Sequence, residues 1–166
     1  AQKALRKKLI EYDRRHGYRG PGYRSIQGTD QYLALPEAGY PENWTETLKR
    51  IPVIGNQEPY IVTKIDNKSI FLLGKSLKEI VLNWEEETWA RPFINSNERG
   101  QRPKSPKDLF NIGDVIRVEQ RNRTVFGLGQ IPAIQGAFVA IDPKNGSIKA
   151  LVGGFDFKHN QFNHVT

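Results

Sequence analysis

Six serines, three histidines and a run of three glutamates are the side chains most able to do chemistry in this sequence, and their neighbours decide whether they can. A serine nucleophile needs a base within hydrogen-bond reach. None of Ser25, Ser69, Ser76, Ser96, Ser105 and Ser147 has lysine three residues on, and none sits in a G-x-S-x-G elbow. The S-x-N and K-T-G elements that would accompany such a serine are absent as well. His16, His159 and His164 lack metal-ligand spacing and read as surface imidazoles. With no cysteine there is no thiolate nucleophile, thiolate metal site or disulfide framework. In a strand, Glu85 and Glu87 would share a face and could pair as general acid and base, but such a run equally suits a solubilising strand edge. Gly127-Leu128-Gly129 leads into Gln130-Ile131-Pro132 instead of a helix, so it is no phosphate loop. The N-x-S/T sequons at Asn43, Asn67, Asn122 and Asn145 fall mostly in turns, where these residue types belong anyway. The residues therefore predict a chain with no catalytic side chain, no cofactor and no metal.

Bulk properties set the frame for these residues. Hydrophobic residues make up 37%, with 8 Phe, 6 Tyr and 3 Trp, enough for one modest core. No apolar run approaches the ~20 residues that span a bilayer. The net charge of +7 is uneven: residues 1–24 hold 8 basic and 2 acidic side chains, residues 25–100 hold 8 and 11, and residues 101–166 hold 9 and 5. A basic head with an acidic middle argues against a uniform nucleic-acid surface. It suits a protein partner or anionic lipid head groups at one end.

Residues 1–16 predict a helix, with Ala4, Leu5, Leu9 and Tyr12 at helical spacing and Gly17 at the C-cap. The pattern is already running at Ala1, and the strand-like "ALVGGFDF" gives way to a polar tail, so both ends read as cuts through longer elements. Residues 17–58 are rich in Gly, Pro and Tyr, with a short helix from Asn43 to Arg50 in which Asn43 and Glu46 form a capping box. From Pro59 the period becomes two. "YIVTKID" and "SIFLL" flank Asn67-Lys68, "DVIRVE" and "TVFGLGQ" flank Arg121-Asn122-Arg123, and "AFVAID" and "SIKALVGG" flank Pro143–Gly146. Residues 95–107 read as a polar loop. Six or seven short strands predict a mostly β chain, a small antiparallel barrel or sandwich.

Four ordered stretches carry a family resemblance. "ALRKKLIEYDRRHGYRGP", which includes Tyr12, Asp13, Arg14, Arg15, His16 and Gly17, resembles the segment after the glycosyltransferase domain of class A penicillin-binding proteins of the 1a type. Trp89-Ala90-Arg91-Pro92 resembles the W-A-R-P signature of their inserted OB-like domain. "NIGDVIRV", with Gly113, and "GQIPAIQGAFVAIDPKNGSIKALVGGFDF", with Asp142, Pro143, Gly146, Gly153 and Gly154, are similar to that domain's last strands and the first transpeptidase hairpin. "FNHVT", with Phe162 and Asn163, resembles the F-N-R-A-T before the family's serine helix, with His164 and Val165 replacing the usual Arg and Ala. The S-x-x-K nucleophile would follow Thr166, so no catalytic residue carries over.

The resemblance implies an interdomain helix over 1–20, an OB-like barrel over 21–135, and over 136–166 the opening hairpin of a transpeptidase domain. It implies a non-catalytic spacer or regulatory module between the glycosyltransferase and transpeptidase domains of a peptidoglycan synthase. That parent is expected on the periplasmic side of the bacterial inner membrane, held by a transmembrane helix. Its expected partners are the two adjoining domains and an outer-membrane lipoprotein activator or another cell-wall protein, with no nucleic acid. The alternative is an OB-fold domain for single-stranded nucleic acid, resting on the positive charge and on Trp44, Trp84 and Trp89. Two packing expectations complete the reading. A strand at 89–91 would bury Trp89 and tether Arg91 on the same face, with Ala90 opposite. The helix stripe of Leu5, Leu9 and Tyr12 would cover the hairpin at 137–152.

Overall fold

A computed structural model describes residues 1–22 and 42–156 of the chain. Helix α1 runs Gln2–Arg15 and is built from good helix formers. Its stop is glycine chemistry: Gly17 takes φ +98° and donates its N–H to the Arg14 carbonyl at 3.2 Å, while Arg14 and Arg15 favour the negative end of the helix dipole. The buried face is rotated from the expected stripe. Leu9, Ile10 and Asp13 turn inward, and Tyr12 stays 47% exposed. Helix α2 spans Glu42–Arg50, one residue earlier than expected, so Asn43 lies inside the helix and does not cap it.

Nine strands follow among the described residues: β1 Gln57–Ile65, β2 Ser69–Gly74, β3 Glu79–Asn83, β4 Phe93–Asn95, β5 Glu98–Arg99, β6 Val115–Gln120, β7 Phe126–Gly129, β8 Phe138–Ile141 and β9 Ile148–Val152. Five of them form an antiparallel sheet in the order β3-β2-β1-β6-β7. The sheet curls into an OB-like half-barrel that brings β3 towards β7 without a ladder between them. The chain is thus mostly β, with an N-terminal helix and a C-terminal hairpin, as the sequence predicts.

Alternation fills the barrel. Ile80 and Leu82 of β3 point in between exposed neighbours, and they meet Tyr60, Val62, Ile70, Leu72, Ile116, Val118 and Leu128. Strand β1 is buried on both faces, because its outward Ile61 lies with Leu73 and Val115 beneath Trp44, Leu48 and Ile51 at α2. Full burial of a side chain such as Leu48 stabilises the fold by about 1.5–3 kcal/mol. The expected polar loop at 95–107 contains the β4–β5 ribbon and a 3₁₀ turn, Pro106–Asp108, in which Ser105 and Asp108 cap each other.

The third apolar cluster corrects one expectation. Helix α1 does not cover the β8–β9 hairpin. Its Leu9 and Ile10 pack with Ile54 and Phe155, flanked by Leu5, Ile131 and Ile134. Arg6 secures this arrangement by donating to the Phe155 carbonyl at 2.6 Å and pairing with Asp156 at 3.6 Å. With the helix face so occupied, Phe138, Val139, Ile141, Ile148 and Leu151 of the hairpin stay exposed.

Candidate functional site at the helix and barrel joint

Two of the segments singled out in the sequence meet in space. Tyr18 N–H donates to the Arg91 carbonyl at 2.6 Å, and Phe93 N–H donates back to the Tyr18 carbonyl at 2.9 Å. The approach leaves no room beside Gly17, where a β-carbon would stand 2.5 Å from the Arg91 oxygen. Residues 88–91 form a turn instead of a strand, which reverses the expected burial: Ala90 is 0% exposed and Trp89 is half-buried. The turn forms because the 3₁₀ helix Trp84–Glu86 ends β3 at Asn83, whose side chain accepts the Glu85 N–H. Arg91 Nε donates to the Gly100 carbonyl at 2.7 Å.

Around Trp89 sits an ionic seam. Strand β7 is the last of its sheet, and Leu128 turns its N–H and C=O away from β6. A bare edge of this kind invites pairing with other chains. Here side chains close it. Glu87, only 1% exposed, accepts Leu128 N–H at 3.0 Å, and Arg14 from α1 donates to the Leu128 carbonyl at 2.8 Å. Glu87 also accepts from Trp89 Nε1 at 3.0 Å and from Arg121 Nη2 at 3.0 and 3.1 Å. Arg14 pairs with Glu119 at 2.6 Å and lies 4.7 Å over the Trp89 ring. Gly127 makes the seam sterically possible, because the Arg121 guanidinium occupies the space a side chain would fill. Burial pushes the Glu87 carboxyl above the ordinary range, and Arg121, the Leu128 amide, Trp89 and Arg14 offset this only in part. Burial alone would lower Arg121, but Glu87 and Glu119 outweigh it and raise its pKa.

A second network secures the end of the helix. Asp13, 3% exposed, accepts both terminal nitrogens of Arg19 at 2.9 and 3.0 Å, Gln130 Nε2 at 2.7 Å and Ala133 N–H at 3.0 Å. Gln130 in turn accepts from Arg19 N–H at 2.7 Å and donates to the Gly17 carbonyl at 3.1 Å. All three carboxylates of the joint are spent on fixed donors. The arrangement holds elements together and presents no activated nucleophile.

The other nominated residues lie apart. Tyr12 and His16 stack at the surface with ring centroids 4.7 Å apart, and Arg15 is exposed. Gly113, at φ +88°, makes the tight turn into β6 and donates to the Val62 carbonyl at 2.8 Å. Asp142, Pro143 and Gly146 form the β8–β9 turn, and Gly153 and Gly154 link β9 to Phe155. Phe162 and Asn163 lie outside the described residues, as do His159 and His164. Among the described residues no three His, Asp or Glu side chains gather as metal ligands. Of the tryptophans proposed to stack on bases, Trp44 and Trp84 are core and Trp89 is covered by Arg14.

Sequence reasoning passed over the buried roles of Glu87, Glu119, Arg121 and Gln130. For Asp13 a signal existed: it falls four residues after Leu9 and three after Ile10, on the apolar side of the helix.

Comparison with known proteins places this architecture. The family model of the penicillin-binding protein OB-like domain matches residues 18–134. Penicillin-binding protein 1A of Pseudomonas aeruginosa is 37% identical over 99% of this chain and 19% of its own length. That of Escherichia coli is 34% identical over 100% of this chain, again 19% of its own length. The chain thus spans about a fifth of the length of these relatives. The crystal structure of penicillin-binding protein 1A from Haemophilus influenzae superposes with a TM-score of 0.72 at 30% identity, over 99% of this chain and 22% of that one. The chain belongs to the penicillin-binding protein OB-like domain family, in the form found in class A penicillin-binding proteins of the 1a type.

Proposed function

We propose that this chain is the non-catalytic spacing and regulatory module of a peptidoglycan synthase, lying between a glycosyltransferase and a transpeptidase domain. The parent polymerises glycan strands and crosslinks their peptides at the periplasmic side of the bacterial inner membrane. Residues 1–20 serve as the interdomain helix, residues 21–135 as the OB-like body and residues 136–166 as the start of the transpeptidase domain. Its partners are the two adjoining domains and an outer-membrane lipoprotein activator or other cell-wall protein. One observation carries the reading: Arg14 of α1 closes the edge of β7, so the helix is held to the barrel by a partly buried ionic joint and moves with it. A spacer has to transmit position, and a partly buried joint resists bending better than a solvated loop.

The test uses the whole synthase. An Arg14→Ala change should lower peptide crosslinking relative to glycan polymerisation, because it loosens the spacer without touching either active site. An unchanged ratio of crosslinks to glycan length would contradict the proposal.

A further inference from the structure

The basic head of the sequence resolves into two sets of cations. Arg6, Arg14 and Arg19 are engaged by the carboxylates of Asp156, Glu119 and Asp13. Lys3, Lys7, Lys8 and Arg15 face solvent on α1, with the Lys7 and Lys8 side chains 74% and 76% exposed. At about 100° per residue, these four lie with Ala4, Glu11 and Tyr12 on one half of the helix circumference. Glu11 is the one carboxylate among them, 2.8 Å from Lys8 and 3.9 Å from Lys7. Among the described residues no ion pair engages Lys3 or Arg15. The result is a flank with surplus positive charge along a 14-residue helix, about 21 Å long.

The composition of this flank selects its partner. Lysine is depleted at protein interfaces, which are built around an apolar centre, and Ala4 is the only aliphatic side chain here. Single-stranded nucleic acid is no better served: Trp44 and Trp84 are core and Arg14 covers Trp89, so no tryptophan platform stands beside the lysines. A plane of anionic head groups needs neither feature and attracts cations spread along one side of a helix. We infer that the outer face of α1 docks on an anionic phospholipid surface, with Lys3, Lys7, Lys8 and Arg15 against the head-group phosphates. Tyr12, 47% exposed at the edge of the face, brings an amphipathic ring of the kind that settles at head-group level. The contact is one of charge and does not insert the helix, because Leu9 and Ile10 are already buried with Ile54 and Phe155. The inference takes from the spacer reading only its setting beside a membrane. The two fail separately, since the crosslink ratio tests one and vesicle binding the other.

The experiment sediments this chain with vesicles of phosphatidylglycerol and phosphatidylcholine in equal parts, and with vesicles of phosphatidylcholine alone. Binding should be at least about tenfold tighter to the anionic vesicles. It should be lost between about 0.1 M and about 1 M salt, as the screening length falls from about 10 Å to about 3 Å. Each lysine at such a surface contributes about fivefold, so Lys3→Gln, Lys7→Gln and Lys8→Gln together should weaken binding about a hundredfold. Arginine at the same three exposed positions keeps the charge and should keep the binding. Lys104→Gln, Lys107→Gln and Arg123→Gln remove as much charge from exposed positions off the helix, and together should weaken it less than about fivefold. Equal binding to the two kinds of vesicle, or none to either, would overturn the inference without any variant. Equal losses in the two glutamine triples would show a general attraction of the +7 chain, and would overturn it too.

Discussion

Glu87 accepts the backbone N–H of Leu128 at 3.0 Å, across the gap between the last strand of the half-barrel and the turn that follows its first edge. A side chain thereby does what a neighbouring strand would do. The same carboxylate holds Trp89 and Arg121, so three groups are satisfied or fixed by one buried residue.

Removing it should therefore be costly. Glu87→Ala leaves the Leu128 and Trp89 N–H groups and the Arg121 charge without their acceptor, and should destabilise by about 3 kcal/mol or more. Glu87→Gln keeps an acceptor oxygen, and Arg121 keeps Glu119 at 3.2 Å, so the loss should be nearer 1 kcal/mol. Urea unfolding of the two variants checks the order. An alanine variant as stable as the parent chain would show that the seam bears no load.

The pH dependence follows from the raised Glu87 pKa, whose cause is burial. The folded chain holds this proton more tightly than the unfolded chain does. The contribution of Glu87 is then full below its ordinary value of 4.5 and is lost as pH rises through the higher folded value. The melting temperature of the parent chain minus that of Glu87→Gln should fall as pH is raised across this window and level off above it. A difference that grows with pH would have the wrong sign.

Gly17 and Gly146 both hold positive φ, at +98° and +69°, yet they differ in surroundings. A methyl at Gly146 meets nothing within 4 Å, whereas one at Gly17 meets the Arg91 carbonyl. Gly146→Ala should cost only the left-handed strain, about 1 kcal/mol. Gly17→Ala adds a backbone collision and should cost about 2 kcal/mol or more. Equal losses in thermal melts would mean that the Gly17–Arg91 approach is not tight.

No serine of the chain has lysine three residues on, and Ser105 caps a 3₁₀ turn. A labelled β-lactam incubated with the chain should form no covalent adduct detectable by mass spectrometry. Stoichiometric labelling would overturn the non-catalytic reading.

The three long hairpins were legible because their period of two and their turns agree: Asn67-Lys68, Arg121-Asn122-Arg123 and the Pro143–Gly146 turn all stand where the chain reverses. The joint was less legible. Glu87 hides in an acidic run, and only the 3₁₀ turn at Trp84–Glu86 shows that it leaves the alternation that would have exposed it beside Glu85. Strands β4 and β5 hold three and two residues, all exposed, too short to leave a pattern. At Tyr12 the helix stripe departs from the sequence pattern, because residue type alone makes an aromatic the buried choice over an aspartate. Asp13 goes inside because Arg19, Gln130 and Ala133 supply its donors, and those lie far along the chain or beyond the helix.

The central claim, that α1 and the barrel are joined as one body, rests on the contact between Arg14 and Glu119, 105 positions apart and 2.6 Å from each other. A double-mutant cycle measures it: Arg14→Ala, Glu119→Ala and the pair, each unfolded in urea. Coupled neighbours in one network give about 0.5–3 kcal/mol, and this pair should exceed about 1 kcal/mol. Losses that add to within about 0.3 kcal/mol would mean that the helix merely rests on the barrel, and would contradict the account.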